Sequence, residues 1–220
     1  MKADFKIERD KGVLLGEAAK ESSELSPSWS SFVSTCRSCT ACPLAESRNN
    51  VVVFRGSTKA PLLILGEGPG RDEDLQGYPF CGRSGRLLDA ALRALEFKAD
   101  DIHVANMVKC RPPGNRAPTP GELEACRPLL REQFKLLQPK IILLLGNTAF
   151  QNFTGIKSGI TKARGSWLES DGILLLPSFH PAYILRDPRR KPELFADLLT
   201  VRQKLEELAL IEPMRQPYNH

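Results

Sequence analysis

Four short apolar runs, separated by longer segments with helical spacing of apolar residues, set the pattern of this chain. The apolar runs predict strands over residues 61–66, 102–105, 140–145 and 173–176. The segments between and after them predict helices over residues 83–97, 119–137, 147–153 and 192–208. Strands separated by helices of this length predict an α/β fold, a three-layer αβα sandwich around a central, mainly parallel, four-stranded sheet.

Glycine and polar residues follow directly after each predicted strand. They lie at residues 66–70, at Asn106, at residues 146–147 and at residues 178–181. Because ligands bind outside the carboxyl ends of the strands in open parallel sheets, we expect these four segments to line one crevice.

The length of 220 residues fits one domain with a tail at one or both ends. Residues 1–30 are polar and predict an N-terminal extension, either loosely ordered or forming a short surface helix. We expect the folded domain to span residues 31–212 and a C-terminal tail to span residues 213–220.

The net charge of +5 permits an anionic partner such as nucleic acid without requiring one. The longest apolar run, residues 141–145, is too short to cross a bilayer, so no membrane partner is expected. Residues 1–9 are charged, and the apolar run that follows them is too short for a signal peptide. We therefore expect a cytoplasmic protein.

Cysteine spacing predicts a metal centre. In a cytoplasmic chain, six cysteines argue against disulfides. Cys39 and Cys42 have the Cys-x-x-Cys spacing of metal ligands in a polar segment, and Cys110 and Cys126 form a second, distant pair. We expect the two pairs to meet at one centre, either zinc or an iron–sulfur cluster, because the spacing does not choose between them. The remaining two, Cys36 and Cys81, are expected in the core.

Two other interpretations of these patterns fit less well. The cysteine run at residues 36–43 lacks the further cysteine that a bacterial ferredoxin motif needs before its proline. The glycine-rich turn at residues 66–71 has Arg71 where a dinucleotide-binding fingerprint needs its third glycine. Pro69 also removes a backbone N–H that a phosphate-binding loop would use.

Three segments and the cysteine pattern resemble the family-four uracil-DNA glycosylases. The segments are GEGPG at residues 66–70 with the Pro-Phe and glycine residues that follow it, NMVKCRPP at residues 106–113 and HPAYILR at residues 180–186. The four paired cysteines match that family's 4Fe–4S ligands, and the resemblance runs over about residues 39–208. It implies a monomeric, monofunctional DNA-repair glycosylase with a 4Fe–4S cluster. Such an enzyme flips uracil out of single- or double-stranded DNA, hydrolyses the N-glycosidic bond and leaves an abasic site.

The resemblance implies three residues that bind the flipped base. Phe80 would stack on the uracil ring. Asn106 offers a donor and an acceptor on one amide, which match O4 and N3–H of uracil, whereas cytosine presents the inverse pattern. Glu73 would clash with the methyl group of thymine.

The resemblance also implies four catalytic positions: Glu67, Gly68, Asn115 and His180. His180 would donate a hydrogen bond to uracil O2 as negative charge develops there, a contribution of typically ~3–4 kcal/mol. Glu67 and the backbone of Gly68 would orient the attacking water, with assistance from Asn115. Glu67 would also favour the positive charge that develops on the sugar.

DNA is expected to bind mainly through its phosphates. Ser84 lies at a predicted helix start, where backbone N–H groups and the helix dipole favour a phosphate. Arg186 begins a basic stretch after the His180 segment. Leu185, or its neighbour Ile184, is expected to wedge into the base stack that the flipped nucleotide leaves.

The chain departs from the family's usual pattern at two cysteines. Cys81 stands in place of a small aliphatic residue, and Cys36 is an additional thiol able to compete with Cys39. Residues 82–88 lack the basic insertion with a histidine that marks the branch of the superfamily trapped covalently on DNA. Two alternative functions stay open: a non-catalytic, metal-stabilised DNA-binding protein and a nucleotide-binding α/β enzyme.

Overall fold

The computed structural model describes residues 25–215. Its helices are α1 Pro27–Ser38, α2 Leu44–Ser47, α3 Arg71–Gln76, α4 Arg83–Ala94, α5 Pro120–Leu137, α6 Gly146–Thr154, α7 Ile160–Ala163, α8 Pro181–Arg186 and α9 Lys191–Glu207. Its strands are β1 Arg55–Gly56, β2 Leu62–Gly66, β3 Ile102–Asn106, β4 Ile141–Leu145, β5 Leu168–Ser170 and β6 Ile173–Ser178.

The strands form one mixed sheet in the order β1-β3-β2-β4-β6-β5. The four predicted strands are its central members and pair in parallel. The number four is wrong, because β1 and β5 add an antiparallel edge strand on each side, which makes six within the described residues. Both edge strands are short, at two and three residues, which explains why no apolar run marks them.

Helices cover both faces of the sheet, as the α/β prediction requires. Alternate side chains of each central strand point to opposite faces. Thus Ile64 of β2 packs with α4 and α9 in one core, while Leu63 and Leu65 pack with α1 and α5 in the other. Strands β2, β3 and β4 are buried on both faces, which accounts for the apolar sequences of β2 and β4.

A capping box starts α5, as the sequence predicts. The Thr119 hydroxyl accepts a hydrogen bond from the Glu122 backbone N–H at 3.3 Å, and the Glu122 carboxylate accepts one from the Thr119 N–H at 2.7 Å. Pro120 occupies the first helical position, where its missing N–H is not needed. The box fixes where α5 begins, and α5 carries Cys126.

The first described helix begins inside the predicted N-terminal extension. α1 starts at Pro27, and Trp29 is only 4% exposed, packed against Phe32, Phe54 and His103. Residues 27–30 are therefore part of the folded body rather than a tail. The rest of the extension up to residue 24, and the tail from residue 216, lie outside the described residues. Within residues 25–215, the helices are too short or too polar to span a membrane.

Candidate active site and cysteine-lined pocket

A pocket of about 210 Å³ opens at the carboxyl ends of the central strands. It has the location predicted from the glycine and polar residues that follow the strands. Eight of the predicted catalytic, base-binding and DNA-binding residues line it, namely Glu67, Gly68, Glu73, Phe80, Ser84, Asn106, Asn115 and His180. The structure thus brings together residues separated by more than a hundred positions in the sequence.

Phe80 and His180 form one wall of the pocket as a stacked pair. Their ring centroids lie 5.5 Å apart at an interplanar angle of 30°. Phe80 has a left-handed backbone with φ of 55°, uncommon outside glycine, and its side chain is only 4% exposed. Gly66 permits this arrangement, since a Cβ there would lie 2.7 Å from the Phe80 ring and 2.5 Å from the Asn106 Oδ1.

His180 is held as a neutral ring with a defined tautomer. It is the N-cap of α8, and its Nδ1 accepts a hydrogen bond from the Ala182 backbone N–H at 3.1 Å. Burial, with a smaller contribution from Arg186, lowers the pKa of His180 to about 4. At neutral pH the single ring proton therefore resides on Nε2, which makes that nitrogen a hydrogen-bond donor.

Asn106 ends β3 with its backbone in the sheet and its side chain in the pocket. It is 2% exposed and is paired in register with Gly66 of β2. Its side-chain amide makes no hydrogen bond to any other residue in the described range 25–215. The donor and the acceptor of this amide are both available to a ligand, as the predicted hydrogen bonds to uracil require.

The loop after β2 is tied to neighbouring elements. The Glu67 carbonyl accepts a hydrogen bond from the Val108 N–H at 3.3 Å. The Glu67 carboxylate accepts a short hydrogen bond from the Thr148 hydroxyl of α6. Thr148 was not predicted as a site residue, since it lies 81 positions from Glu67 and belongs to no local motif. It orients the carboxylate that is the candidate for positioning water.

Glu73 has a structural function that the sequence prediction does not include. One carboxylate oxygen accepts a hydrogen bond from the Gly70 N–H and the other from the Gly82 N–H, each at 3.0 Å. The side chain is 8% exposed and ties the glycine-rich loop to the segment that follows Phe80. Exclusion of a thymine methyl by Glu73 stays a prediction.

Asn115 lies on the exposed rim of the pocket. Its backbone is left-handed, with φ of 57°, and its Oδ1 accepts a hydrogen bond from the Arg111 Nε at 2.6 Å. That contact uses one lone pair of the amide oxygen and leaves both N–H groups of the amide available as donors. Arg116, another rim residue that was not predicted, pairs through both terminal nitrogens with Glu122, at 2.8 and 2.6 Å.

The three predicted DNA-binding residues divide between the pocket and its surroundings. Ser84 is the second residue of α4 and lines the pocket. Leu185 and Arg186 end α8 outside the pocket lining, with Arg186 exposed and Leu185 packed partly against the core. They are placed beside the pocket rather than within it.

A second, smaller pocket is lined by five cysteines: Cys36, Cys39, Cys42, Cys110 and Cys126. All five are free thiols, and the Arg48 guanidinium donates to the Cys110 sulfur at 3.3 Å. The predicted ligand pairs therefore share one pocket, together with the additional thiol of Cys36. Within residues 25–215, no three His, Cys, Asp or Glu side chains are arranged to hold a single metal ion.

The donor set of this pocket suits a sulfur-rich, anionic group. Besides the thiols, the lining includes the apolar residues Leu44, Val108 and Leu129 and the basic residues Arg48 and Lys109, with no carboxylate. Apolar walls and positive side chains next to cysteine sulfurs are the environment in which iron–sulfur clusters are held. Cys36 and Cys81, both predicted in the core, are 0% and 3% exposed.

Comparison with known proteins agrees with this geometry. The sequence profile of the uracil DNA glycosylase superfamily matches residues 53–201. The type-4 uracil-DNA glycosylase of Thermotoga maritima is 46% identical over 155 residues, which is 69% of this chain and 80% of the relative. That of Archaeoglobus fulgidus is 36% identical over 73% of this chain and 84% of the relative. A type-5 uracil-DNA glycosylase of Mycobacterium bovis is 31% identical over 69% of this chain and 70% of the relative.

The chain forms an αβα sandwich with its pocket at the strand ends, and the superfamily profile matches most of its length. The chain therefore belongs to the uracil-DNA glycosylase superfamily. Within the superfamily, its relatives place it with the type-4 enzymes.

Proposed function

We propose that the pocket at the strand ends receives a uracil flipped out of DNA and that its residues hydrolyse the N-glycosidic bond. Membership of the type-4 family makes the chain a uracil-DNA glycosylase of DNA repair, a hydrolase acting on N-glycosyl bonds. The observation that carries the residue assignment is the convergence of Glu67, Phe80, Asn106 and His180 on one pocket.

Base recognition falls to Phe80 and Asn106. A base in a duplex cannot reach a pocket between strand ends, so the nucleotide must be extruded at a cost of a few kcal/mol. Phe80 supplies an aromatic ring for the extruded base, and stacking of this kind contributes about 1–3 kcal/mol per base. The unpaired amide of Asn106 then forms the two hydrogen bonds to O4 and N3–H that distinguish uracil from cytosine.

Bond cleavage falls to His180 and Glu67. Cleavage leaves negative charge on the uracil, and the Nε2–H of neutral His180 donates to O2 where that charge develops. Glu67, oriented by Thr148, holds water near the sugar and opposes the positive charge that develops there. The backbone of Gly68 lies next to Glu67 in the pocket wall and completes the water site.

Asn115 takes a narrower role than the sequence suggested. Because Arg111 already donates to its Oδ1, Asn115 acts mainly as an N–H donor at the rim of the pocket. It is suited to a phosphate or an oxygen of the flipped nucleotide. Ser84 at the start of α4 and Arg186 beside the pocket bind flanking phosphates, and Leu185 enters the vacated stack.

The cysteine-lined pocket holds a 4Fe–4S cluster through Cys39, Cys42, Cys110 and Cys126. When bound, the cluster supplies a covalent cross-link between the segment after α1, the segment after β3 and helix α5. The last two of these segments also adjoin the catalytic pocket, through Asn106 and the Arg116–Glu122 pair. We also propose that the enzyme is a cytoplasmic monomer that acts on uracil in single- or double-stranded DNA.

Excision of uracil from an oligonucleotide tests this function. Purified protein is incubated with two oligonucleotides of identical sequence, one with a single uracil and the other with thymine at the same position. Alkali then cleaves any abasic site that has formed. We expect cleavage at the uracil only. DNA binding without cleavage would instead identify the non-catalytic alternative, and thermal stabilisation by NAD or ATP would identify the nucleotide-binding one.

A further inference from the structure

Lys109 is a buried lysine that lies between the two pockets. It is 1% exposed, among the largest fully buried side chains of the described residues. Its ammonium donates to the backbone carbonyl of Asn106 at 3.0 Å and to the side-chain oxygen of Gln133 at 2.5 Å. Its side chain also lines the cysteine pocket, and it precedes Cys110 in the chain.

Lys109 belongs to a chain of hydrogen bonds with Gln133 and His103, and the donor and acceptor of each bond can be assigned. Burial lowers the pKa of His103 to about 3, so its ring is neutral. Its Nδ1 lies 2.8 Å from the carbonyl of Ser57, which accepts only, so Nδ1 carries the proton and Nε2 accepts from the Gln133 amide at 2.9 Å. The Gln133 oxygen is thereby turned to Lys109. The lysine is thus held by two hydrogen bonds within a buried polar network.

The network leaves the charge of Lys109 without a carboxylate partner. Both hydrogen-bond acceptors of Lys109 are neutral oxygens, and it forms no ion pair with any residue from 25 to 215. A buried positive charge without a counter-charge costs several kcal/mol. The side chain of Lys109 does line the cysteine pocket, where metal-bound thiolates would supply negative charge.

We propose that Lys109 is a positioning residue that couples the cysteine pocket to base recognition. Its positive charge compensates the negative charge of a thiolate-bound cluster, and its N–H fixes the carbonyl of Asn106, whose side chain reads the base. This role rests on the proposed function, which places the cluster in one pocket and uracil in the other. Lys109 contacts neither the base nor the sugar.

Three substitutions separate charge from shape at this position. Lys109→Met keeps the length of the side chain but removes both the charge and the hydrogen bonds. Lys109→Gln keeps a hydrogen-bond donor and removes the charge, and Lys109→Arg keeps the charge. Lys135→Met is the matched control, because Lys135 lies on α5 with a side chain that is 75% exposed.

The experiment compares these purified proteins by iron content per chain, rate of iron loss to a chelator, reduction potential of the cluster and kcat/KM on the uracil oligonucleotide. We expect Lys109→Met and Lys109→Gln to lower metal affinity by about 10–100-fold, the range found when partners of metal ligands are removed. Their reduction potentials should shift to more negative values, since a nearby positive charge favours the reduced, more anionic cluster. Lys109→Met should also lower kcat/KM, while Lys109→Arg restores iron retention and Lys135→Met behaves as wild type.

Several results would overturn this role. Wild-type iron retention and reduction potential in both Lys109→Met and Lys109→Gln would reject charge compensation, and an iron-free wild type would reject it together with the cluster. If Lys109→Met does not fold, Lys109→Gln decides the question by the same measurements. A wild type that binds iron but excises no uracil would reject the proposed function alone, because the iron measurements still test Lys109.

Discussion

The rings of Phe80 and His180 stack on each other, with centroids 5.5 Å apart. The proposed platform for the base and the proposed donor to its O2 are therefore fixed relative to one another. Electrostatic catalysis depends on donors that are already in place when charge develops, since they need no reorganisation during the reaction. The N-cap contact with Ala182 fixes the orientation of the same histidine ring. Substrate is therefore expected to find the wall of the pocket already formed.

The neutral state of His180 predicts the pH dependence of excision. Its pKa is lowered from 6.5 to about 4, so the Nε2 donor and the Nδ1 acceptor persist until the pH falls towards 4. Single-turnover rates should thus show no inflection near 6.5 and should fall only as the ring gains its second proton. His180→Asn should lower the rate by ~10²–10³-fold. An inflection near 6.5 that disappears in His180→Asn would show that the ring titrates normally, contrary to this account.

Gly66→Ala should distort the pocket although the added methyl group does not itself contact the substrate. The added Cβ would lie 2.5 Å from the Asn106 Oδ1 and 2.7 Å from the Phe80 ring, so both of these proposed base-binding side chains must move. A displacement of this kind can lower the rate by about 10²-fold. Gly121→Ala is the control, because a Cβ there meets nothing within 4 Å in the first turn of α5. Equal single-turnover rates for the two variants would contradict the tight packing around Gly66.

Asn106→Asp should weaken uracil excision by replacing the amide donor with an acceptor. A lost hydrogen bond and an unpaired group facing the base cost about 1–3 kcal/mol, or roughly 5–150-fold in kcat/KM. Competition between uracil- and cytosine-containing oligonucleotides measures the selectivity. The control is Gln203→Glu, the same change from amide to acid at an exposed position on α9. Unchanged selectivity in Asn106→Asp would show that another group reads the base.

Thr148→Val should lower the excision rate by releasing the carboxylate of Glu67. Loss of the hydroxyl donor to a charged group costs about 1.5–3 kcal/mol, which corresponds to a decrease of order 10–100-fold if the carboxylate must stay oriented. Thr200→Val controls for the change of residue type, since the Thr200 hydroxyl bonds only within α9. If Thr148→Val reacts at the wild-type rate, orientation of Glu67 is not needed for hydrolysis.

The meeting of the site residues in one pocket could be predicted from sequence, because it follows from the positions of the parallel strands. Apolar runs locate β2, β3, β4 and β6, and polar residues at their carboxyl ends must meet at one edge of a parallel sheet. Cys-x-x-Cys spacing and a distant second pair likewise predicted a shared cysteine pocket. In both cases the sequence pattern is local, and the fold brings the separate segments together.

What could not be predicted depends on contacts between distant side chains or on very short elements. Glu67 and Thr148 meet across 81 positions, and no spacing rule relates a hydroxyl in α6 to the loop after β2. The edge strand β5 has only a turn signal, Asp171-Gly172, whose positive φ angles of 51° and 76° join it to β6. The sequence allowed a short helix within residues 1–30 but not its start or its burial, because Trp29 lies in a serine-rich segment and is buried only by tertiary packing.

The central claim is that one extruded base is surrounded by Phe80, Asn106, Glu67 and His180. The most direct test is a crystal structure of the protein bound to DNA that contains a non-hydrolysable uracil nucleotide. The account predicts a uracil ring stacked on Phe80, with the Asn106 amide on O4 and N3–H and His180 Nε2 within hydrogen-bond distance of O2. A uracil left in the base stack, or bound away from these four side chains, would contradict it.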